Sequence, residues 1–262
     1  MNNRPIGIFD SGVGGTSIWK EINGLLSNED TIYLADSKNA PYGEKSEEQI
    51  LQLSIKNTEF LLAKDCKLIV VACNTATTNA ISYLRENYDV PFIGIEPAIK
   101  PAALQSQSKK VGVLATKGTL SSSLFHYTSK NHASGIQIIE QEGTGLVKLI
   151  EAGMANSAMS KRVLEIKLAP MLAAEIDYLV LGCTHYPYLI PVLREMLPEN
   201  VKIIDSGEAV ARQTKSVLEQ NGLSNPSEGK GKHHFFTNAD VRILESFLKG
   251  EKSNVKTAFL DF

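Results

Sequence analysis

Short apolar runs rich in β-branched residues alternate along this chain with longer amphipathic stretches, and that alternation restricts it to repeated strand–helix units on a parallel sheet. The first run, Ile6-Gly7-Ile8-Phe9, breaks at Asp10-Ser11-Gly12-Val13-Gly14-Gly15, a glycine-rich turn after which Thr16 or Ser17 opens a helix ending near Leu26. Further strands are expected at residues 31–34, 67–72, 92–95, 111–114, 136–139, 178–181 and 201–204, with helices in most of the intervals. Ser46-Glu47-Glu48-Gln49 is a capping box, followed by Ile50, Leu53, Phe60 and Leu61 at near-helical spacing. The tract 225–232, rich in Gly, Lys, Ser and Glu, reads as a surface loop before an edge strand over 233–237, with His233 and His234 as exposed strand residues.

A chain of 262 residues admits one large domain or two modest ones. An internal similarity favours two lobes: Ile6-Gly7-Ile8-Phe9-Asp10-Ser11 is echoed by Val111-Gly112-Val113-Leu114-Ala115-Thr116. Each segment is followed, after a similar interval, by an apolar run ending in a cysteine: Ala72-Cys73-Asn74-Thr75 in the first half, Gly182-Cys183-Thr184-His185 in the second. Duplication would set both cysteines at equivalent strand ends, facing one another across a cleft; chance similarity of two α/β segments is the alternative. Residues 95–101 read as a crossover and Asp205-Ser206-Gly207 as the return. The expected lobes are therefore 1–96 with 207–262, and 97–206.

Composition narrows the function classes. The 27 Lys+Arg against 29 Asp+Glu give a net charge of −2, with no basic stripe to release counterions from a nucleic acid. Residues 1–7 carry one arginine and enter an apolar strand-like run too short for a signal sequence, and no later stretch approaches a membrane span, so a cytoplasmic location is expected. Three cysteines without Cys-x-x-Cys spacing suggest free thiols rather than a disulfide framework or zinc.

Cys73 and Cys183 follow buried strands and precede helix starts, where open α/β sheets bind ligands and where helix-start N–H groups lower a thiol pKa from about 8.5 toward neutrality. A cysteine is more commonly a small core residue, and Cys66, between Asp65 and Lys67, is read that way. Asn74, Thr75 and Thr184 add hydroxyl and amide groups beside the other two sulfurs. Asp10 and Ser11 occupy a further strand end, where the carboxylate serves a substrate ammonium or a thiol, or else is a plain turn cap. His185 stands two positions from Cys183 and is either its proton partner or a structural histidine. The loop from Asp36 through Pro41, Tyr42 and Gly43 is a turn by composition that can offer backbone amides and a phenol. The glycine loop lacks both the dinucleotide fingerprint and the Walker ending, which leaves close helix–strand packing as its simpler role.

Residues 6–15 (IGIFDSGVGG), Pro41-Tyr42-Gly43, Ala72-Cys73-Asn74-Thr75-Ala76, Gly94-Ile95-Glu96-Pro97-Ala98 and Leu181-Gly182-Cys183-Thr184-His185-Tyr186-Pro187 together resemble, in order and along the whole chain, the glutamate racemases of the aspartate/glutamate racemase superfamily. The resemblance implies an α/β fold of two similar lobes, each a mostly parallel sheet flanked by helices, with the active site in the cleft between them. It implies no pyridoxal phosphate or other cofactor, no metal, and D-glutamate made for bacterial peptidoglycan. Cys73 and Cys183 become the acid–base pair, Asp10 assisting one, Glu151 and His185 the other. Glu151 comes from a shorter match, Leu149-Ile150-Glu151-Ala152-Gly153. Asp10, Ser11, Pro41, Tyr42, Gly43, Asn74, Thr75, Thr184 and His185 are the expected substrate-binding set. The partner is small-molecule glutamate, with neither nucleic acid nor membrane, and a homodimer is admissible. Two departures sit beside the motif cores: Ala35-Asp36-Ser37 where Gly-Asp-Thr is common, and Thr77-Thr78 where Ser-Ala is common.

Two opposed thiols suit racemisation, which takes the α-proton from one face and returns a proton to the other. A related amino-acid racemase, such as one for aspartate or hydantoin, would share the pair and differ in its side-chain pocket. A decarboxylase needs one such cysteine, a cysteine hydrolase leaves Cys73 without purpose, and a non-catalytic two-lobed glutamate-binding protein needs neither thiol.

Overall fold

Continuous apolar runs need cover on both faces, which parallel sheets receive from helices on either side. In the computed structural model of the chain, which describes residues 3–133, 135–251 and 254–262, the runs form β1 (Ile6–Asp10), β2 (Thr31–Ala35), β3 (Leu68–Val71), β4 (Phe92–Gly94), β5 (Lys110–Ala115), β6 (Gln137–Glu142), β7 (Tyr178–Gly182), β8 (Lys202–Ile204), β9 (Lys232–Thr237) and β10 (Asn254–Phe259). Met1 and Asn2 of the N-terminal lead lie outside the described residues. β1, β3 and β7 are buried at every position, as strands without polar alternation must be.

The strands make two sheets, ordered β10-β9-β2-β1-β3-β4 and β6-β5-β7-β8, and every pairing is parallel. The second sheet repeats the β2-β1-β3-β4 arrangement of the first: β5 takes the place of β1, and β7 that of β3. The similarity of residues 6–11 to 111–116 is thus a similarity of position as well as of sequence. Helix Gly207–Gln220 lies against helix Thr16–Leu25, and β9 and β10 extend the first sheet beyond β2. Helix Glu47–Ala63 opens on the expected capping box, Ser46 accepting from the Gln49 N–H and the Gln49 side chain from the Ser46 N–H.

The strand at 233–237 is not an edge. β10 pairs along its whole length and takes the outer position with polar residues such as Asn254, Lys256 and Thr257, a composition that blunts an edge and hides the strand from a search for apolar runs. His233 therefore points into the core rather than to solvent. The Trp19 indole N–H donates to Thr31 Oγ1 at 3.0 Å, and that hydroxyl lies 2.9 Å from His233 Nδ1. Burial pushes the His233 imidazole below its ordinary pKa, so the neutral ring is favoured beside the Thr31 hydroxyl. His234, on the opposite face, is half-buried.

The amino end of the first sheet is closed by core contacts. Lys67 Nζ meets Glu29 Oε2 at 2.5 Å with both side chains buried, and the Asn225 N–H completes the carboxylate at 2.7 Å. Cys66 packs against β1, where a Cβ on Gly7 would meet its Sγ at 3.1 Å, and burial pushes this thiol up to about 12. That fits the core role read for Cys66 and leaves the carboxyl ends as the polar ends.

Candidate active site

Asp10 is the last residue of β1, opposite Ala35, while Gly182 ends β7 opposite Ala115. Ser11, Cys73, Thr116 and Cys183 thus all leave their sheets at carboxyl ends, where this architecture gathers ligand-binding groups.

Cys73 caps helix Asn74–Asn87, its Sγ accepting from the Ala76 N–H at 3.4 Å, and it is 4% exposed. Burial, and then the charge of Asp10, push its thiol well above the ordinary cysteine value; the Ala76 amide and the Ser11 hydroxyl pull the other way and lose. The lowering expected from a helix start is therefore outweighed here, because the sulfur is buried beside a carboxylate. Asp10 is itself fully buried, with Oδ2 accepting from the Gly15 N–H at 2.8 Å and Oδ1 from the Thr184 hydroxyl at 3.3 Å. Burial raises its carboxyl to about 6, against the pull of His185 and the Gly15 amide.

On the other side, Cys183 Sγ lies 3.8 Å from His185 Nδ1, and His185 Nε2 lies 2.5 Å from Glu151 Oε1. Burial opposes a charged imidazole, but the contacts with Cys183 and Glu151 prevail and hold His185 well above its ordinary value. Glu151 has the converse balance: burial raises it, whereas bonds from His185, the Val13 N–H (2.7 Å) and the Ser37 hydroxyl (2.8 Å) outweigh that and keep it ionised. The glycine loop is what allows this approach. A Cβ on Gly12 would land on the Glu151 carboxylate and one on Gly14 would sit 2.2 Å from His185 Nδ1. Close packing is thus the role of these glycines, with the partner being the His185–Glu151 pair beside the second sheet.

The remaining expected residues line the same seam. The Asn74 side chain is buried, and neither its amide nitrogen nor its oxygen has a partner among the described residues, a costly state that a polar ligand relieves. Thr75 Oγ1 reaches across to Thr116 Oγ1 at 2.8 Å and Thr119 Oγ1 at 3.4 Å. Gly43 abuts Thr116, where a Cβ would meet the threonine Cβ at 2.8 Å. The Tyr42 phenol is buried, donating to Asp36 Oδ2 at 2.5 Å and accepting from the Asn57 amide at 3.2 Å. Pro41, Gly43, Thr116, Lys117, Gly143 and Lys148 line a cavity on the seam beside the threonines. Among the described residues no group of three or more His, Cys, Asp or Glu is arranged to hold a metal, and no helix is long and apolar enough to cross a membrane.

Sequence reasoning did not single out Ser37, Thr116 or Thr119. Thr116 carried a signal, since it is the repeat counterpart of Ser11. Ser37 carried a weaker one, following β2 at its carboxyl end.

The fold and site together define a two-sheet α/β protein with two buried cysteines at strand carboxyl ends, one under the charge of Asp10 and the other in contact with His185. The family model for Asp/Glu/Hydantoin racemase matches residues 6–214, and the chain belongs to this family. It is 45% identical over 240 residues to a glutamate racemase of Herpetosiphon aurantiacus, covering 92% of this chain and 94% of the relative. The structure of glutamate racemase isoform RacE1 from Bacillus anthracis matches with a TM-score of 0.88 at 30% identity, over 100% of this chain and 99% of that one. Escherichia coli glutamate racemase, in complex with L-glutamate and the activator UDP-MurNAc-ala, matches with a TM-score of 0.86 at 36% identity over 98% of both chains.

Two glycines give opposite expectations. Gly14→Ala drives a methyl into His185 and should lower stability by about 1–3 kcal/mol. Gly24→Ala, in helix Thr16–Leu25 with nothing within 4 Å of the new methyl, should raise it by about 0.4–1 kcal/mol. Urea unfolding of the two variants beside the parent chain measures both signs.

Proposed function

We propose that this chain is a cofactor-independent glutamate racemase that interconverts L- and D-glutamate with Cys73 and Cys183 as the two proton-transfer groups. The observation that carries the reading is the pairing of each sulfur with its own ionisable neighbour, Asp10 near Cys73 and the His185–Glu151 pair at Cys183. Glutamate as the substrate is supported by relatives that bear that activity in their names and by the L-glutamate bound in the Escherichia coli structure.

In each direction one sulfur enters as thiolate and takes the α-proton, breaking the Cα–H bond, while the other gives its proton to the opposite face. The electron pair released at Cα is held in the α-carboxylate as an enolate-like charge. With no electron sink, that charge requires preorganised donors in a dry site. The unpartnered Asn74 amide and the Thr75, Thr116 and Thr119 hydroxyls are the nearby groups suited to a substrate's carboxylates. Asp10, raised to about 6, is poised to exchange a proton with Cys73 near neutral pH; a protonated His185 plays the matching part for Cys183. Neither sulfur is open, at 4% and 7% exposure, so substrate entry requires the lobes, 1–96 with 207–262 and 97–206, to part and then close. The product would serve bacterial peptidoglycan synthesis, in the cytoplasm.

Alanine at Cys73 or at Cys183 should lower racemisation of L-glutamate, followed by optical rotation, by at least about a thousandfold. Activity retained by either variant would sink the two-thiol reading; activity on aspartate but not glutamate would leave the thiols and overturn the substrate.

Asp10 also sets a pH limb. Its carboxylate accepts protons above about 6 and is protonated below, so kcat/KM should fall as pH drops through that value. The limb must appear at the same pH with either enantiomer, since an equilibrium constant of one makes the two kcat/KM values equal. Asp10→Asn should be slow and lack this inflection; an unchanged limb would assign it to another group.

A further inference from the structure

The Glu151 carboxylate belongs to helix Leu146–Glu151 beside the second sheet, yet two of its three donors come from segments that follow first-sheet strands: the Val13 N–H after β1 and the Ser37 hydroxyl after β2. Oε1 is shared between His185 Nε2 and the Val13 amide, while Ser37 is the donor that reaches Oε2. Ser37 is firmly presented. It opens the turn Ser37–Asn39, and the preceding Asp36 side chain accepts from Asn39, Tyr42 and Asn238.

From this arrangement we infer that Ser37 is a positioning residue: its hydroxyl fixes the rotation of the Glu151 carboxylate against His185 only when the two sheets are together, and so ties closure of the cleft to proton transfer at Cys183. The inference rests on the racemase reading for its chemistry and on the three distances above for its geometry.

The physical reason is that a carboxylate held only through Oε1 can rotate about its terminal bond, whereas a second bond at Oε2 fixes the plane. The plane determines whether Oε1 faces His185 Nε2 at 2.5 Å. If the cleft opens, Ser37 and Val13 withdraw with the first sheet, and the carboxylate loses two of its three donors at once. His185 is then less firmly held beside Cys183, so the second thiol's partner is set for chemistry only around enclosed substrate. The other ionisable groups facing this pair are Cys183 on the histidine, Asp10 toward both, and Tyr33 toward Glu151. None of them contacts Oε2 in place of Ser37.

The test uses the full chain with Ser37→Ala and Ser37→Thr, the second of which keeps the hydroxyl. The titration of the His185 imidazole is followed by NMR, its signal assigned by its loss in His185→Asn, and kcat/KM is measured against pH. Ser37→Ala should move the His185 titration downward toward the ordinary histidine range and lower kcat/KM about tenfold, the scale of one hydrogen bond to a charged group. Ser37→Thr should restore both to within about twofold of the parent activity and to the parent titration. An unmoved His185 titration in Ser37→Ala overturns the inference whatever the activity does, because a purely structural serine would lower stability and leave that titration in place. A His185 titration that shifts in Ser37→Ala while the parent chain does not racemise glutamate would support the positioning role and reject the substrate reading, so the two failures are separable.

Discussion

The contact between Glu151 and His185, 2.5 Å within the second sheet's side of the seam, is the interaction on which the rest of the site depends. A buried imidazole left alone sheds its proton, and a buried carboxylate left alone takes one up. Placed together they reverse both tendencies, Glu151 staying ionised and His185 protonated. The pair tolerates burial only because backbone and hydroxyl donors satisfy the carboxylate's other lone pairs. Those donors come from the glycine loop after β1 and the turn after β2, so the site's electrostatics require both sheets to be in contact.

That requirement accounts for sequence features that are otherwise unrelated. Glycine stands at 12 and 14 because a side chain at either would occupy the place of Glu151 or His185. Asp10 can be buried because Gly15 and Thr184 donate to it from opposite sides of the seam. The apolar contacts cooperate: Val13, Ile18 and Trp19 from the first half share one core cluster with Ile150, Cys183 and Tyr186 from the second. Contact between the two sheets thus buries apolar surface and completes the polar bonds together, and excluding water strengthens each of those bonds.

Much of the fold was legible because parallel strands buried on both faces carry unbroken apolar runs; β1, β3, β5 and β7 stand out for that reason. β10 was not legible, since an edge strand mixes polar and apolar residues, and its absence from the reading turned β9 into a false edge and His233 into a false surface residue. Within the site, Cys73, Cys183, Asp10 and His185 were visible as reactive residue types at strand ends. Glu151 was not distinguishable from an ordinary helix glutamate without the family resemblance. Ser37 gave only the weak signal of its place after β2, and Thr119 none, for a different reason: Glu151 and Thr75, which they meet, lie 114 and 44 residues away, and no local pattern records such a meeting. The direction of the Cys73 shift was also misjudged, because helix position is a sequence property whereas depth of burial is a tertiary one.

The central claim is that two enclosed thiols act on opposite faces of one substrate. Racemisation of L-glutamate in deuterium oxide, sampled well before equilibrium, tests it most directly. Opposed thiols predict D-glutamate carrying deuterium at Cα, because the returning proton comes from the second, solvent-equilibrated sulfur, while the remaining L-glutamate stays almost entirely protium. Substrate protium carried into D-glutamate would mean a single base serving both faces, and deuterium rising equally in both pools would mean thiols open to water; either result would contradict the account.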